Sequence, residues 1–205
     1  MSRPVIAIDV DDVLAGANQA MMHYINEHFG ANHTWEDYTV AGPYNRYWEK
    51  VVWQTDSEEG AKRYNAFIND GTQRRMPVIQ DALEVIGYLK KHYELVIITG
   101  REQEYMDDTH HWLQKHFPKT FQGIHFMPYK EDGVNKVHKA VVASELGVQY
   151  LIDDAVEHCI PAAAAGIKCL LFGDYGWNKD AELTEGITRV KDWKAVQKYF
   201  EKAAQ

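Results

Sequence analysis

The stretch Val5-Ile6-Ala7-Ile8-Asp9-Val10-Asp11-Asp12-Val13-Leu14 decides how the rest of the chain is read. Its first four residues are apolar without a polar break, and three aspartates follow at once. A strand with one face in water would alternate. An unbroken run suits a strand covered on both faces, as in a parallel sheet. Similar runs stand at 95–98, 150–152 and 169–172, with a weaker one at 124–127. Acidic residues at the end of such strands lie where open parallel sheets bind ligands, beyond the carboxyl edge.

The spacers between the runs carry helical periodicity. Leu83, Ile86 and Leu89 form a stripe after Pro77, and Met106, His110 and Leu113 form another. Val137, Val141 and Ser144 lead to Gly147; Ile160, Ala163 and Ala164 lead to Gly166; Trp193, Val196 and Phe200 mark a last helix. Strand–helix alternation of this kind predicts an α/β fold, a Rossmann-like doubly wound parallel sheet. About eighty residues separate the first two strands, far more than one crossover helix needs. The excess is helical in pattern and aromatic, with Met21, Met22, Ile25 and Phe29 on one face closed by Gly30. The sequence therefore predicts a core of residues 1–16 and 76–205, with a small α-helical cap, 17–75, inserted after the first strand.

Length agrees, since 205 residues at ~150 per domain mean one domain with an elaboration. Twenty-two basic against thirty acidic residues, a net −8, exclude nucleic-acid polymers and anionic membranes as general partners. A small anionic metabolite in a local basic pocket stays compatible. The N-terminal apolar run is too short for a signal peptide, and no stretch reaches the length of a membrane span. Cys159 and Cys169 make neither a CxxC pair nor a disulfide framework, so small buried thiols in a cytoplasmic protein are expected.

The first strand delivers Asp9, Asp11 and Asp12 to the carboxyl edge; the second delivers Thr99, Gly100 and Arg101; the fourth delivers Asp153 and Asp154. Carboxylates gathered closely repel unless a cation sits among them. All-oxygen ligands favour Mg²⁺ over Zn²⁺. A calcium loop is excluded, because the alternating oxygen ligands fail at Val13. Any one acid is as readily a helix cap or turn former. The order of all the elements, with a lysine before the last acidic pair, is more specific.

That order resembles the haloacid dehalogenase-like superfamily over residues 3–16 and 77–175. Asp9-Val10-Asp11-Asp12-Val13-Leu14 matches its first motif, Thr99 its second and Ile152-Asp153-Asp154 its fourth. Lys139 fits the third motif best, with Lys136 and Lys130 as rivals. The resemblance implies a phosphatase in which Asp9 attacks phosphorus and Asp11 serves as general acid and base. It places Mg²⁺ on Asp9, the main-chain carbonyl of Asp11 and Asp153, with Asp154 orienting a bound water. Thr99 and Gly100 would hold phosphoryl oxygens, and Lys139 would offset the negative charge. Arg101 either reaches the far side of the ester or makes a structural ion pair. Asp11 points to phosphoryl transfer rather than dehalogenation, and no cap lysine gives a positive sign of phosphonatase chemistry.

Cap aromatics suggest base stacking, with Trp35, Tyr44, Tyr47, Trp48 and Trp53 as candidates and Trp48 chosen for substrate binding; packing of a small helical core explains any one of them equally. Met76-Pro77-Val78, Ala82-Leu83 and the late Arg189-Val190-Lys191-Asp192-Trp193 are similar to the 5′(3′)-deoxyribonucleotidase-like branch, which implies a nucleoside monophosphate as substrate. A sugar-phosphate phosphatase, a phosphomutase using the same Asp9, and a non-catalytic Mg²⁺-binding protein are the alternatives. His110, His111, His116, His138, Lys90, Lys91, Arg74 and Arg75 are read as ordinary helix and surface residues, and Asn178 as a surface-loop residue that the same branch would bring near the site.

Overall fold

A computed structural model describes residues 3–127 and 139–203. Val137, His138 and the rival lysines Lys130 and Lys136 lie outside the described residues. Six strands form one sheet: β1 (Val5–Ile8), β2 (Glu94–Thr99), β3 (Ile124–Phe126), β4 (Val148–Asp153), β5 (Lys168–Phe172) and β6 (Ile187–Val190). Their order is β3-β2-β1-β4-β5-β6 and every pairing is parallel. The doubly wound α/β fold is therefore present, with one strand beyond those expected. β6 escaped the sequence reading because it is an edge strand of four residues with only Ile187 and Val190 buried.

Alternation through the sheet sorts side chains between two faces. Ile6, Ile8, Ile97 and Ile152 point into a core shared with α3 (Ala82–Leu89) and α7 (Trp193–Ala203). Ala7, Ile98 and Leu151 point into a second core against α5 (Lys139–Glu145) and α6 (Val156–Ala164). α4 (Met106–His116) joins the first through Trp112 and Leu113. Right-handed crossovers require this split, because the chain winds outward from β1 in both directions.

The expected helix faces need correction. Leu83, Met106, Val141 and Ile160 are exposed. Ile86, Leu89 and Leu113 are buried as expected, and the further buried positions include Val85 in α3, Thr109 and Trp112 in α4, Ala140 and Ala143 in α5, and Cys159 and Ala162 in α6. Only Trp193, Val196 and Phe200 were assigned correctly as a set. Both cysteines are free and buried.

Between β1 and α3 the chain forms α1 (Ala17–Phe29), a 3-10 turn (Trp35–Thr39), a π-helical turn (Trp48–Trp53), α2 (Ser57–Asn69) and a 3-10 turn (Thr72–Arg75). This segment is tied to the loop after β5. The Gly42 amide donates to the Gly176 carbonyl (3.0 Å), and the Gly176 amide donates to the Tyr38 carbonyl (3.1 Å). Tyr47 Oη and the Val40 carbonyl occupy the space a Cβ on residue 176 would need, so only glycine permits so close an approach. Among the described residues, no helix is long and apolar enough to cross a membrane.

Candidate active site

Register places the first two acids together. Ile8 pairs with Ile152, and the Asp9 amide donates to the Ile152 carbonyl at 3.0 Å. Asp9 and Asp153 therefore extend adjacent parallel strands about 4.8 Å apart on the same face. That face is the one α5 covers, so Lys139 at the start of α5 meets both. Its ammonium donates to Asp153 Oδ2 at 2.7 Å and lies 2.8 Å from Asp9 Oδ1. The Asp9 contact is one of charge, without the alignment of a hydrogen bond. Asp154 completes the group, its carboxylate within 4.8 Å of those of Asp9 and Asp153.

The partners of each carboxylate set its charge. Burial alone would raise Asp153, but Lys139 and His158 overcome it and hold the group well below the ordinary range. Asp153 Oδ1 also accepts from the Ala155 amide (3.0 Å) and faces His158 Nδ1 (3.0 Å). Asp9 shares the same ammonium without those extra donors, and burial pushes it up to about 6, Lys139 only partly offsetting this. Asp154 is raised well above the ordinary range by burial and then by its neighbours Asp153 and Asp9. For Lys139, burial opposes its charge, and the two carboxylates more than reverse that. One ammonium thus serves three buried acids. The deficit of positive charge and the all-oxygen donor set fit a hard divalent cation such as Mg²⁺.

Asp11 turns elsewhere. Arg101, with its side chain 5% exposed, grips both Asp11 oxygens, Nη2 to Oδ1 at 2.7 Å and Nε to Oδ2 at 2.9 Å. Its Nη1 donates to Thr109 Oγ1 at 3.1 Å. Of the two roles left open for Arg101, the ion pair is the one present. Thr99 is fully buried, its hydroxyl accepting from the Arg101 amide (3.2 Å). It does not line the cavity described below, whereas Gly100 does.

Asp12 has a structural post. Its φ of 54° lies in the left-handed region, where a short polar side chain is best tolerated. Its carboxylate accepts from the Asn18 amide (3.1 Å) and from Asn18 Nδ2 (2.5 Å), anchoring the start of α1. Burial pushes its carboxyl up to about 7.

A cavity of about 340 Å³ opens over these residues, lined by Asp9, Asp11, Asp12, Arg101, Lys139 and Asp154 below and by the inserted segment above. Of the five aromatic candidates, Tyr44, Tyr47 and Trp48 line it. Trp35, itself exposed, stacks on Tyr38 and meets Tyr175 edge-on, and Trp53 bonds the Tyr38 hydroxyl; neither lines the cavity. Trp48 stacks on Tyr64, centroids 5.1 Å apart and rings 8° from parallel. A larger concavity, about 670 Å³, runs along α4 past His110, His111 and Lys115. No strand-end carboxylate reaches it, so size does not select the site.

Four lining or supporting residues escaped sequence reasoning. His158 follows the acidic pair by one turn, and its ring meets Tyr44 edge-on at 6.0 Å. Trp177 Nε1 donates to Asp154 Oδ2 at 2.7 Å. Gln73 lies in a turn with no motif, and Asn18 is an ordinary helix residue by pattern. Asn178 corrects an expectation: it is buried, not a surface-loop residue, and bonds the carbonyls of Asp154 (2.8 Å) and Phe172 (2.9 Å).

The sequence pattern of the family described as 5′ nucleotidase, deoxy (Pyrimidine), cytosolic type C protein matches residues 3–205. The chain belongs to that family. It is a haloacid dehalogenase-like phosphatase, a phosphoric monoester hydrolase. No curated protein matched the sequence. Among solved structures, one described as a predicted phosphatase from Clostridium acetobutylicum is similar, at 14% identity over 98% of this chain and 100% of that one, with a TM-score of 0.66. The haloacid dehalogenase-like hydrolase SP0104 from Streptococcus pneumoniae gives 14%, 97%, 98% and 0.62 in the same measures. A haloacid dehalogenase family hydrolase from Deinococcus radiodurans R1, solved with phosphate and sodium bound, gives 14%, 98%, 96% and 0.60. At these identities the likeness is one of fold.

Proposed function

We propose that the protein is a Mg²⁺-dependent nucleotidase that hydrolyses a nucleoside monophosphate through an aspartyl-phosphate on Asp9. The observation that carries this is the buried set of Asp9, Asp153 and Asp154 around Lys139, opening into an aromatic-walled cavity. Residues 17–75 act as the cap over a core of 1–16 and 76–205. The family description and the two free buried thiols support a cytoplasmic setting.

Asp9, Asp153, Asp154 and the main-chain carbonyl of Asp11 would hold the ion. Bound there, Mg²⁺ offsets the charge of a phosphate monoester and polarises its phosphoryl group. An Asp9 carboxylate oxygen attacks phosphorus as the ester P–O bond breaks, and the leaving oxygen takes a proton from Asp11. Water then attacks the acyl phosphate, giving its proton back to Asp11 and releasing phosphate and Asp9. Lys139 keeps Asp9 and Asp153 apart in charge and in position. The Gly100 amide serves phosphoryl oxygens, and Thr99, buried behind the cavity wall, supports that turn by accepting from the Arg101 amide. Both Asp11 oxygens are occupied by Arg101 in the resting protein, so protonated Asp11 requires that grip to part. A substrate phosphate competing for the guanidinium is the natural agent.

Asp9→Asn is expected to lower turnover of p-nitrophenyl phosphate by at least ~10³-fold with an unchanged circular dichroism spectrum. Near-normal hydrolysis by that variant rules out the nucleophile. Chelation should silence the enzyme and Mg²⁺ restore it. A panel of nucleoside monophosphates against sugar phosphates tests the substrate. Preference for hexose phosphates, or a need for a sugar bisphosphate, would instead favour a sugar-phosphate phosphatase or a phosphomutase.

A further inference from the structure

Gln73 is 2% exposed and lines the cavity, yet its Oε1 has no hydrogen-bond partner among the described residues. Its neighbours in the 3-10 turn face outward, Arg74 to Asp108 and Arg75 to Asp70. Gln73 alone turns in. A buried amide oxygen left unpaired destabilises the fold, and native proteins satisfy nearly all such atoms. One that persists in a cavity wall is explained when the ligand brings the partner.

The position is fixed rather than loose. Three residues on, the Met76 carbonyl accepts from Trp112 Nε1 at 2.8 Å, and Met76 Sδ lies 3.2 Å from Arg101 Nη2. The chain of contacts Asp11–Arg101–Met76 thus ties the turn bearing Gln73 to the reacting end of the cavity. Trp48, Tyr64 and Phe67 line the same cavity, Trp48 and Tyr64 stacked on each other. Asn18 also lines it with Oδ1 unpartnered, its amide nitrogen being committed to Asp12. Two unsatisfied buried amides beside aromatic rings match a flat ligand that carries N–H and C=O groups on its edge. No neighbour fixes which end of the Gln73 amide points inward, so it can present donor or acceptor to such an edge.

We propose that Gln73 reads the hydrogen-bonding edge of the substrate's nucleobase, while the aromatic wall takes its face. This rests on the nucleotidase reading above and adds the residue that recognises the base.

The test compares wild type with Gln73→Leu and Gln73→Met, which keep the bulk and remove the hydrogen bonds. Each is assayed with Mg²⁺ on nucleoside monophosphates and on ribose 5-phosphate, which has the phosphate and sugar but no base. The expected result is a loss of about 10- to 100-fold in kcat/KM on the preferred nucleotide, with ribose 5-phosphate changed less than about twofold and Tm not lowered. Equal losses on both substrates, or no loss on the nucleotide, overturn the role given to Gln73 while leaving the nucleotidase reading intact. A wild type that hydrolyses no nucleoside monophosphate overturns both.

Discussion

Lys139→Met removes a fully buried ammonium while keeping an unbranched apolar chain of similar bulk. Its nitrogen stands 2.7 Å from Asp153 and 2.8 Å from Asp9, whose side chains are 0% and 9% exposed. Solvent cannot replace a counter-charge there. Deleting one partner of a buried pair destabilises by ~3–5 kcal/mol, because the remaining charge is left uncompensated. Proton uptake limits the damage. Burial already holds the Asp9 carboxyl up at about 6 while Lys139 lowers it, so losing the ammonium moves it higher still and favours the neutral acid. An expected loss of ~3–5 kcal/mol at pH 7.5 is a large part of the ~5–15 kcal/mol that holds a domain folded. At ~2–4 °C per kcal/mol for this size, Tm should fall by ~6–20 °C. The assay is urea and thermal unfolding after removal of divalent ions, at pH 7.5 and pH 5.5. The deficit should shrink at the lower pH, where protons take over the role of the ammonium. A loss below ~1 kcal/mol at pH 7.5 would refute the reasoning.

Wild type itself should depend on pH with a defined sign. Asp9 and Asp12, at about 6 and about 7 against an ordinary 3.8, and Asp154, also raised, hold protons in the fold that the unfolded chain has released. Stability of the divalent-free protein should therefore fall as pH rises from about 4 through 7. His33 and His116, both lowered by burial, act oppositely as pH falls through 6.5 but are fewer and half-exposed. Asp153, held low, loses its contribution only below its ordinary 3.8. Urea unfolding at pH 5 against pH 8 checks the sign, and greater stability at pH 8 contradicts it. Gly176→Ala would push a methyl into Tyr47 Oη and the Val40 carbonyl, and a destabilisation of ~1–3 kcal/mol is expected by chemical denaturation. A neutral result would mean that the insert shifts freely on the core.

The sheet and its acidic edge were legible because buried parallel strands leave an unmistakable pattern. Asp9 and Asp153 follow unbroken apolar runs, whereas Lys139 was preferred over Lys136 and Lys130 only through the family resemblance. The helix faces were less legible. Helices that press on a sheet use small side chains, so Ala140, Ala143, Cys159 and Ala162 face inward while the bulkier Val141 and Ile160 face water. A search for large apolar residues at helical spacing lands one position off. β6 was missed because an edge strand has only one neighbour and alternates weakly. Asn178 looked like a loop residue, since its bonds to carbonyls of β5 and of the Asp154 turn depend on folds of chain distant in sequence. Nothing local marks Gln73 either.

β1 and β4 adjoin, although most of the core sequence lies between them. A chain emerging from the ribosome therefore carries Asp9 long before Asp153 exists to repel it, and the acids stay dispersed and hydrated until the central strands meet. Closing that seam is a long-range event of the kind that slows folding, and here it also brings like charges together. Refolding should then quicken when protons or a divalent salt ease the final zipping, while the outer hairpin-free edges assemble at an unchanged pace.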